Sequence, residues 1–139
     1  MATRTAVVID DEIDLTTYLS SILEENDFVV HSANDAVSGE EKIRQTNPDI
    51  VLIDLMMPGR TGIQLFVKLR KDEQTKNIPL VMVTGIKDQL GIDWSDIVDR
   101  YKTRRPDGFV EKPIEPERLM KVVNGVLSGG GADDEVLHG

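Results

Sequence analysis

Four short apolar runs in this chain end on side chains able to do chemistry. Ala6 to Ile9 ends on Asp10-Asp11, Ile50 to Ile53 on Asp54, and Leu80 to Val83 on Thr84-Gly85; Gly108 to Val110 is followed within two residues by Lys112. Ile50 to Ile53 has no polar alternation, the pattern of a strand covered on both faces, as in a parallel sheet. Open parallel sheets bind ligands outside the carboxyl ends of their strands. If the strands are ordered 2-1-3-4-5, the first and third are neighbours at the switch point, and three carboxylates crowd one crevice.

Such crowding has a definite chemistry. Two like charges about 4 Å apart repel by about 4 kcal/mol at an effective dielectric of 20. Three carboxylates therefore need a proton, a cation or both. Lys112 supplies one positive charge, and a hard divalent ion would supply the rest. Mg2+, with Mn2+ as a substitute, suits one or two carboxylates, several waters and a phosphate oxygen. Asp10, Asp11, Glu12 and Asp14 lack the alternating spacing of a calcium loop. A carboxylate beside such an ion, a lysine and a hydroxyl is a setting for phosphoryl transfer. Asp54 would attack phosphorus, Lys112 would neutralise the equatorial oxygens, Thr84 would donate to one of them, and Gly85 would keep the approach open.

The rest of the chain supplies elements to hold these residues. Leu15, Tyr18, Leu19, Ile22 and Leu23 fall at helical spacing on one apolar face. Phe28 to Val30 predicts a second strand, leaving His31 and Ser32 at its end. Asp35 predicts an N-cap for a helix to about Gln45, with Val37 and Ile43 its larger apolar residues. Gly62 opens a third helix with Ile63, Phe66 and Leu69 inward. Leu90, Trp94, Ile97, Val98 and Tyr101 mark a fourth, in which Trp94 and Tyr101 read as packing residues. Pro116 suits the first position of a last helix whose face is Leu119, Val122, Val123, Val126 and Leu127. Strand and helix alternate five times, which indicates an α/β domain with helices on both faces of a parallel sheet.

Length and charge bound the reading. The 139 residues suit one domain, and 40% hydrophobic content is adequate for one core. A net charge of -9 repels phosphate backbones, so no direct nucleic-acid binding is expected. No stretch reaches the length of a membrane span, and the first apolar run stops at Asp10, unlike a signal peptide. No membrane partner and a cytoplasmic location are expected. With no cysteine, and His31 and His138 far apart, the histidines read as solvent-facing and zinc as improbable. Gly129-Gly130-Gly131 has no Lys-Ser or Lys-Thr after it and reads as a linker into an acidic, flexible tail.

Taken in order, Val8-Ile9-Asp10-Asp11-Glu12, Asp54-Leu55-Met56-Met57-Pro58-Gly59, Thr84-Gly85 and Phe109-Val110-Glu111-Lys112-Pro113 resemble the receiver domain of a two-component response regulator. The likeness spans about Ala6 to Leu127. It implies one flavodoxin-like doubly wound domain over 1–128, with five parallel strands in the order 2-1-3-4-5, five helices, and a tail over 129–139. It implies that Asp54 is the phosphoacceptor. Asp11, Asp54 and the backbone carbonyl of Met56 would bind Mg2+ directly, and Asp10 through water. Lys112 would pair with the phosphoryl group, Thr84 would be the switch hydroxyl, and Phe109 the switch aromatic. The segment between Thr84 and Lys112 is longer than is usual in the family. The extra length falls within Ile86 to Asp107, where it is expected to tune partner choice.

The function implied is a signalling switch rather than a turnover enzyme. A histidine kinase or phosphotransfer protein would donate to Asp54, the domain would assist its own phosphorylation and dephosphorylation, and a downstream protein would be regulated; homodimerisation is left open. The alternative is a receiver-shaped binding module that works without phosphate, against which the intact acid set argues. A phosphatase with an aspartate nucleophile is a poorer fit, because Leu55-Met56 follows Asp54 and provides no general acid.

Overall fold

The computed structural model describes residues 3–55, 57–58, 61–85 and 93–129. Expectations resting on Met56, Gly59, Leu90, Gly130, Gly131, His138 and the rest of the tail lie outside these residues. The described elements are β1 (Arg4–Ile9), α1 (Ile13–Glu25), β2 (Phe28–Ala33), α2 (Ala36–Thr46), β3 (Ile50–Asp54), α3 (Thr61–Lys71), β4 (Leu80–Thr84), α4 (Trp94–Tyr101), β5 (Gly108–Glu111) and α5 (Pro116–Leu127). The five strands form one parallel sheet in the order β2-β1-β3-β4-β5. Among the described residues no helix is long and apolar enough to cross a membrane.

Every residue of β3 and β4 is buried, as expected of central strands with helices on both faces. Ala6, Val8, Ile50, Leu52, Val81, Val83 and Val110 line one face, against Leu19 and Leu23 of α1 and Leu119 and Val123 of α5. Val7, Ile9, Val51, Ile53, Leu80, Met82 and Phe109 line the other, against Ile43 of α2 and Leu65, Phe66 and Leu69 of α3. Side chains alternate along each strand. The next residues on the α1–α5 side are then Asp10 after Val8, Asp54 after Leu52 and Lys112 after Val110. The β1–β3 register ends with Ile9 opposite Ile53, which puts Asp10 and Asp54 next to each other.

Helix signals hold with local corrections. Asp35 caps α2, its Oδ1 accepting from the Ser38 N–H at 2.8 Å. Val37, one of its larger apolar residues, is 76% exposed. It sits in the first turn of α2, where the inner face belongs to Gly39 and Ile43. Gly39 is a close-packing position, since a Cβ there would run into the Ile9 side chain. Tyr18 stands at the rim of the α1 face, with its hydroxyl donating to the Ile114 carbonyl at 3.4 Å. β2 continues to Ala33, so His31 and Ser32 lie inside this edge strand rather than at its end, and His31 is half-buried rather than solvent-facing.

Gly62 ties α3 to the strand that carries Asp54. A Cβ at this position would run into the Asp54 carbonyl oxygen and lie 2.8 Å from that of Leu55. Backbone cannot step aside as a flexible side chain can. Gly62→Ala is expected to destabilise by about 2 kcal/mol despite its better helix propensity. Urea unfolding with an unchanged slope is the check, and a more stable variant would contradict it.

At the amino-terminal ends of β4 and β5, Asp107 accepts from the Leu80 N–H at 2.8 Å and from Arg70 Nη2 at 2.9 Å. Arg70 also donates to the carbonyls of Ile78 and Arg105 at 3.2 and 2.7 Å. Arg104 completes the cluster with bonds to Asp107 Oδ1 and the Lys76 carbonyl, both 3.0 Å. This cluster fixes the later part of the long segment before β5.

Candidate functional site

β1 and β3 deliver Asp10, Asp11 and Asp54 to one point, where one carboxylate oxygen from each lies within 4.8 Å of the others. Asp10 and Asp54 are 1% and 2% exposed, while Asp11 faces solvent. Lys112, just past β5, reaches over them. Its Nζ is 3.4 Å from Asp54 Oδ1, 3.6 Å from Asp10 Oδ2 and 3.9 Å from Glu12 Oε1. Glu12, read in the sequence only as part of a motif, thus joins the rim of the site. Thr84 is fully buried at the end of β4, one strand over from Asp54, and its carbonyl accepts from the Lys112 N–H at 2.7 Å. Gly85 follows it, half-buried.

The electrostatics match the crowding. Burial pushes the Asp10 carboxyl up to about 6 from its ordinary 3.8, the Glu12 N–H bonded to Oδ1 at 2.9 Å opposes this, and the neighbouring Asp54 adds to it. Burial also works against the Lys112 ammonium, but Asp54 and Asp10 outweigh it and hold that pKa above its ordinary value. Asp10 Oδ2 is buried without a hydrogen-bond partner among the described residues. An orphaned carboxylate oxygen beside two more carboxylates is a donor set that fits a hard divalent cation.

Phe109 is 7% exposed and lies on the opposite face, paired in register with Met82. Trp94 is wedged between two rings, edge-on to Phe109 at 5.5 Å and to Phe66 at 5.4 Å. Phe109 is therefore set back from the carboxylates and connects to the start of α4. Met56 lies outside the described residues.

Asn34 went unread in the sequence. It follows β2, and its Nδ2 donates to the Asp10 carbonyl at 2.9 Å and to Thr16 Oγ1 at 3.3 Å. Only its position, one residue past an edge strand and beside the acidic loop, hints at this.

Comparison with known proteins agrees with this layout. The response regulator receiver domain family matches residues 6–124. The chain is 32% identical to Protein PilH of Pseudomonas aeruginosa over 123 residues, covering 88% of this chain and 97% of PilH. It is 30% identical over 124 residues to the phosphate regulon transcriptional regulatory protein PhoB of Escherichia coli, covering 89% of this chain but about half, 52%, of PhoB. The structure of the chemotaxis response regulator CheY4 of Vibrio cholerae superposes with a TM-score of 0.73 at 24% identity, over 90% of this chain and 99% of CheY4, a likeness of fold. Strand order, matched span and overall likeness agree: the chain belongs to the receiver domain family of two-component response regulators.

Proposed function

We propose that the domain is a switch set by phosphorylation of Asp54. The observation that carries this is Lys112 Nζ, held 3.4 Å from Asp54 and 3.6 Å from Asp10 at the mouth of the three-carboxylate cluster. An isolated structural lysine has no need of two buried acids. An Asp54 oxygen would form a new P–O bond as the P–N bond of a donor phosphohistidine breaks and the imidazole nitrogen takes up a proton. Water attack on phosphorus would later restore the carboxylate. Lys112 would neutralise a phosphoryl oxygen, and the Thr84 hydroxyl would donate to another. Asp10, Asp11 and Asp54 would hold Mg2+, which when bound supplies the positive charge that lets acids and phosphoryl oxygens share the site.

The consequence would reach beyond the site through Phe109. Thr84 drawn toward the phosphoryl group would let Phe109 shift, and Trp94 against that ring would pass the change to α4. A phosphoryl group that binds one of two conformations better moves the population by that difference. A histidine kinase or phosphotransfer protein is the implied donor, and a protein that reads the α4 region the implied receiver of the signal.

The test is intact-mass measurement after incubation with Mg2+ and acetyl phosphate or phosphoramidate. One phosphoryl group per wild-type chain is expected, with none in Asp54→Asn and none when EDTA is added first. No adduct on the wild-type chain would favour a binding module that works without phosphate, and an undiminished adduct in Asp54→Asn would place the acceptor elsewhere.

A further inference from the structure

We infer that Asn34 is a positioning residue for the cation site and sets its affinity by fixing the peptide that joins Asp10 to Asp11. The inference rests on the metal-binding reading of the acidic cluster given above. Asp11 is exposed, and its carboxylate makes no hydrogen bond or ion pair among the described residues. Its direction must come from its backbone. Asp10 differs, since its own carboxylate is held by the Glu12 N–H and flanked by Lys112.

Besides the Glu12 bonds on its helix side, the backbone of this loop has two anchors from the end of β2. The Asp10 N–H donates to the Ala33 carbonyl at 3.1 Å, the last rung before the strands part. The Asp10 carbonyl accepts from Asn34 Nδ2 at 2.9 Å. A carbonyl only accepts, so the amide must present its nitrogen here. The same nitrogen reaches Thr16 Oγ1 at 3.3 Å, and that hydroxyl donates to the Ile13 carbonyl at 2.9 Å. One side chain thereby links the end of β1 to the first turn of α1, with Asp11 between them. Without Asn34, the Asp10 carbonyl loses its partner, so the Asp10–Asp11 peptide is held only at its flanks and can tilt, and that motion carries the Asp11 carboxylate away from Asp10 and Asp54. Partners that orient metal ligands in this way affect affinity by about ten- to a hundredfold. Asn34 is itself exposed, which puts its effect at the low end.

The test is Mn2+ binding to the full chain by electron paramagnetic resonance, with Mg2+ as competitor, in wild type, Asn34→Ala, Ser38→Ala and Asp11→Asn. Asn34→Ala is expected to weaken Mg2+ binding about tenfold. Ser38→Ala removes a hydrogen bond of similar kind, to Asp35 Oδ2 at 3.1 Å, and is expected to leave Mg2+ affinity unchanged. Thermal melting in EDTA reports the general loss of stability in both. Unchanged affinity in Asn34→Ala overturns the inference, as does an equal loss in Ser38→Ala, which would mark mere loosening. If wild type binds no Mg2+, or Asp11→Asn binds it equally well, the metal reading itself has failed.

Discussion

Metal-free Asp10→Asn should be about 2–3 kcal/mol more stable than the wild-type protein at pH 7. The Asp10 carboxyl is raised from 3.8 to about 6, chiefly by burial and next by Asp54. A raised carboxyl pKa means that the folded state prefers the protonated form. Below pH 3.8 both folded and unfolded chains carry the proton, and Asp10 does no harm. As pH rises toward 6 the unfolded chain releases its proton first, so stability falls through this window and levels off above it. A shift of this size corresponds to about 3 kcal/mol. Asparagine has the same shape and no charge, so it should remove the loss. Urea unfolding in EDTA from pH 4 to 8 is the check. The two proteins should differ little at pH 4, diverge as pH rises toward 6, and keep a constant gap above it. Curves that stay parallel would show that Asp10 ionises without strain. Saturating Mg2+ should narrow the gap, because the wild type, with all three carboxylates, binds it more tightly.

That trade between stability and function also explains which parts of the chain were readable in sequence. Asp10 and Asp54 could be found because each ends an apolar run, and Lys112 because it closely follows one; a charged residue there makes no sense for a core. The parallel sheet was legible from Ile50 to Ile53, whose unbroken apolar pattern is the mark of a strand buried on both faces. Edges and rims were less legible. β2 has helices on the same two sides but no strand beyond it, so polar His31 and Ser32 are tolerated within it and hide its end. In α2 the two larger apolar residues alone did not fix a face, and the packing places Ile43 within and Val37 outside. Asn34 left no periodic signal at all. Its partner is a backbone carbonyl, which every residue has, so only the fold shows which one it holds.

Arg70→Ala should lower stability by about 3–5 kcal/mol, a larger loss than that of any surface charge in the chain. The Arg70 side chain is 1% exposed and ends in an ion pair with Asp107 at 2.9 Å. Burial pulls the guanidinium pKa down, and Asp107 offsets this in part. One hint lay in the sequence: Arg70 stands four residues after Phe66, on the inward face of α3, and its guanidinium lies 5.2 Å from the centre of that ring. Truncation would strand the carbonyls of Ile78 and Arg105 without their donor and leave Asp107 with only Arg104 and the Leu80 N–H. Arg70→Met separates these effects, since it keeps much of the contact with Phe66 and loses the hydrogen bonds. It should be milder than alanine but still cost about 2 kcal/mol or more. Arg70→Lys should not restore the wild-type value, because one ammonium cannot reproduce the planar fork that meets two carbonyls and a carboxylate. Urea unfolding measures all three. Amide exchange at Asp107, which donates to the Leu80 carbonyl, and at Gly108 should quicken together with the loss. Mg2+ affinity should not change in the variants that remain folded, because this cluster is at the opposite end of the sheet from Asp54. A loss under about 1 kcal/mol in Arg70→Ala would mean that water satisfies the stranded groups and that the ion pair is incidental.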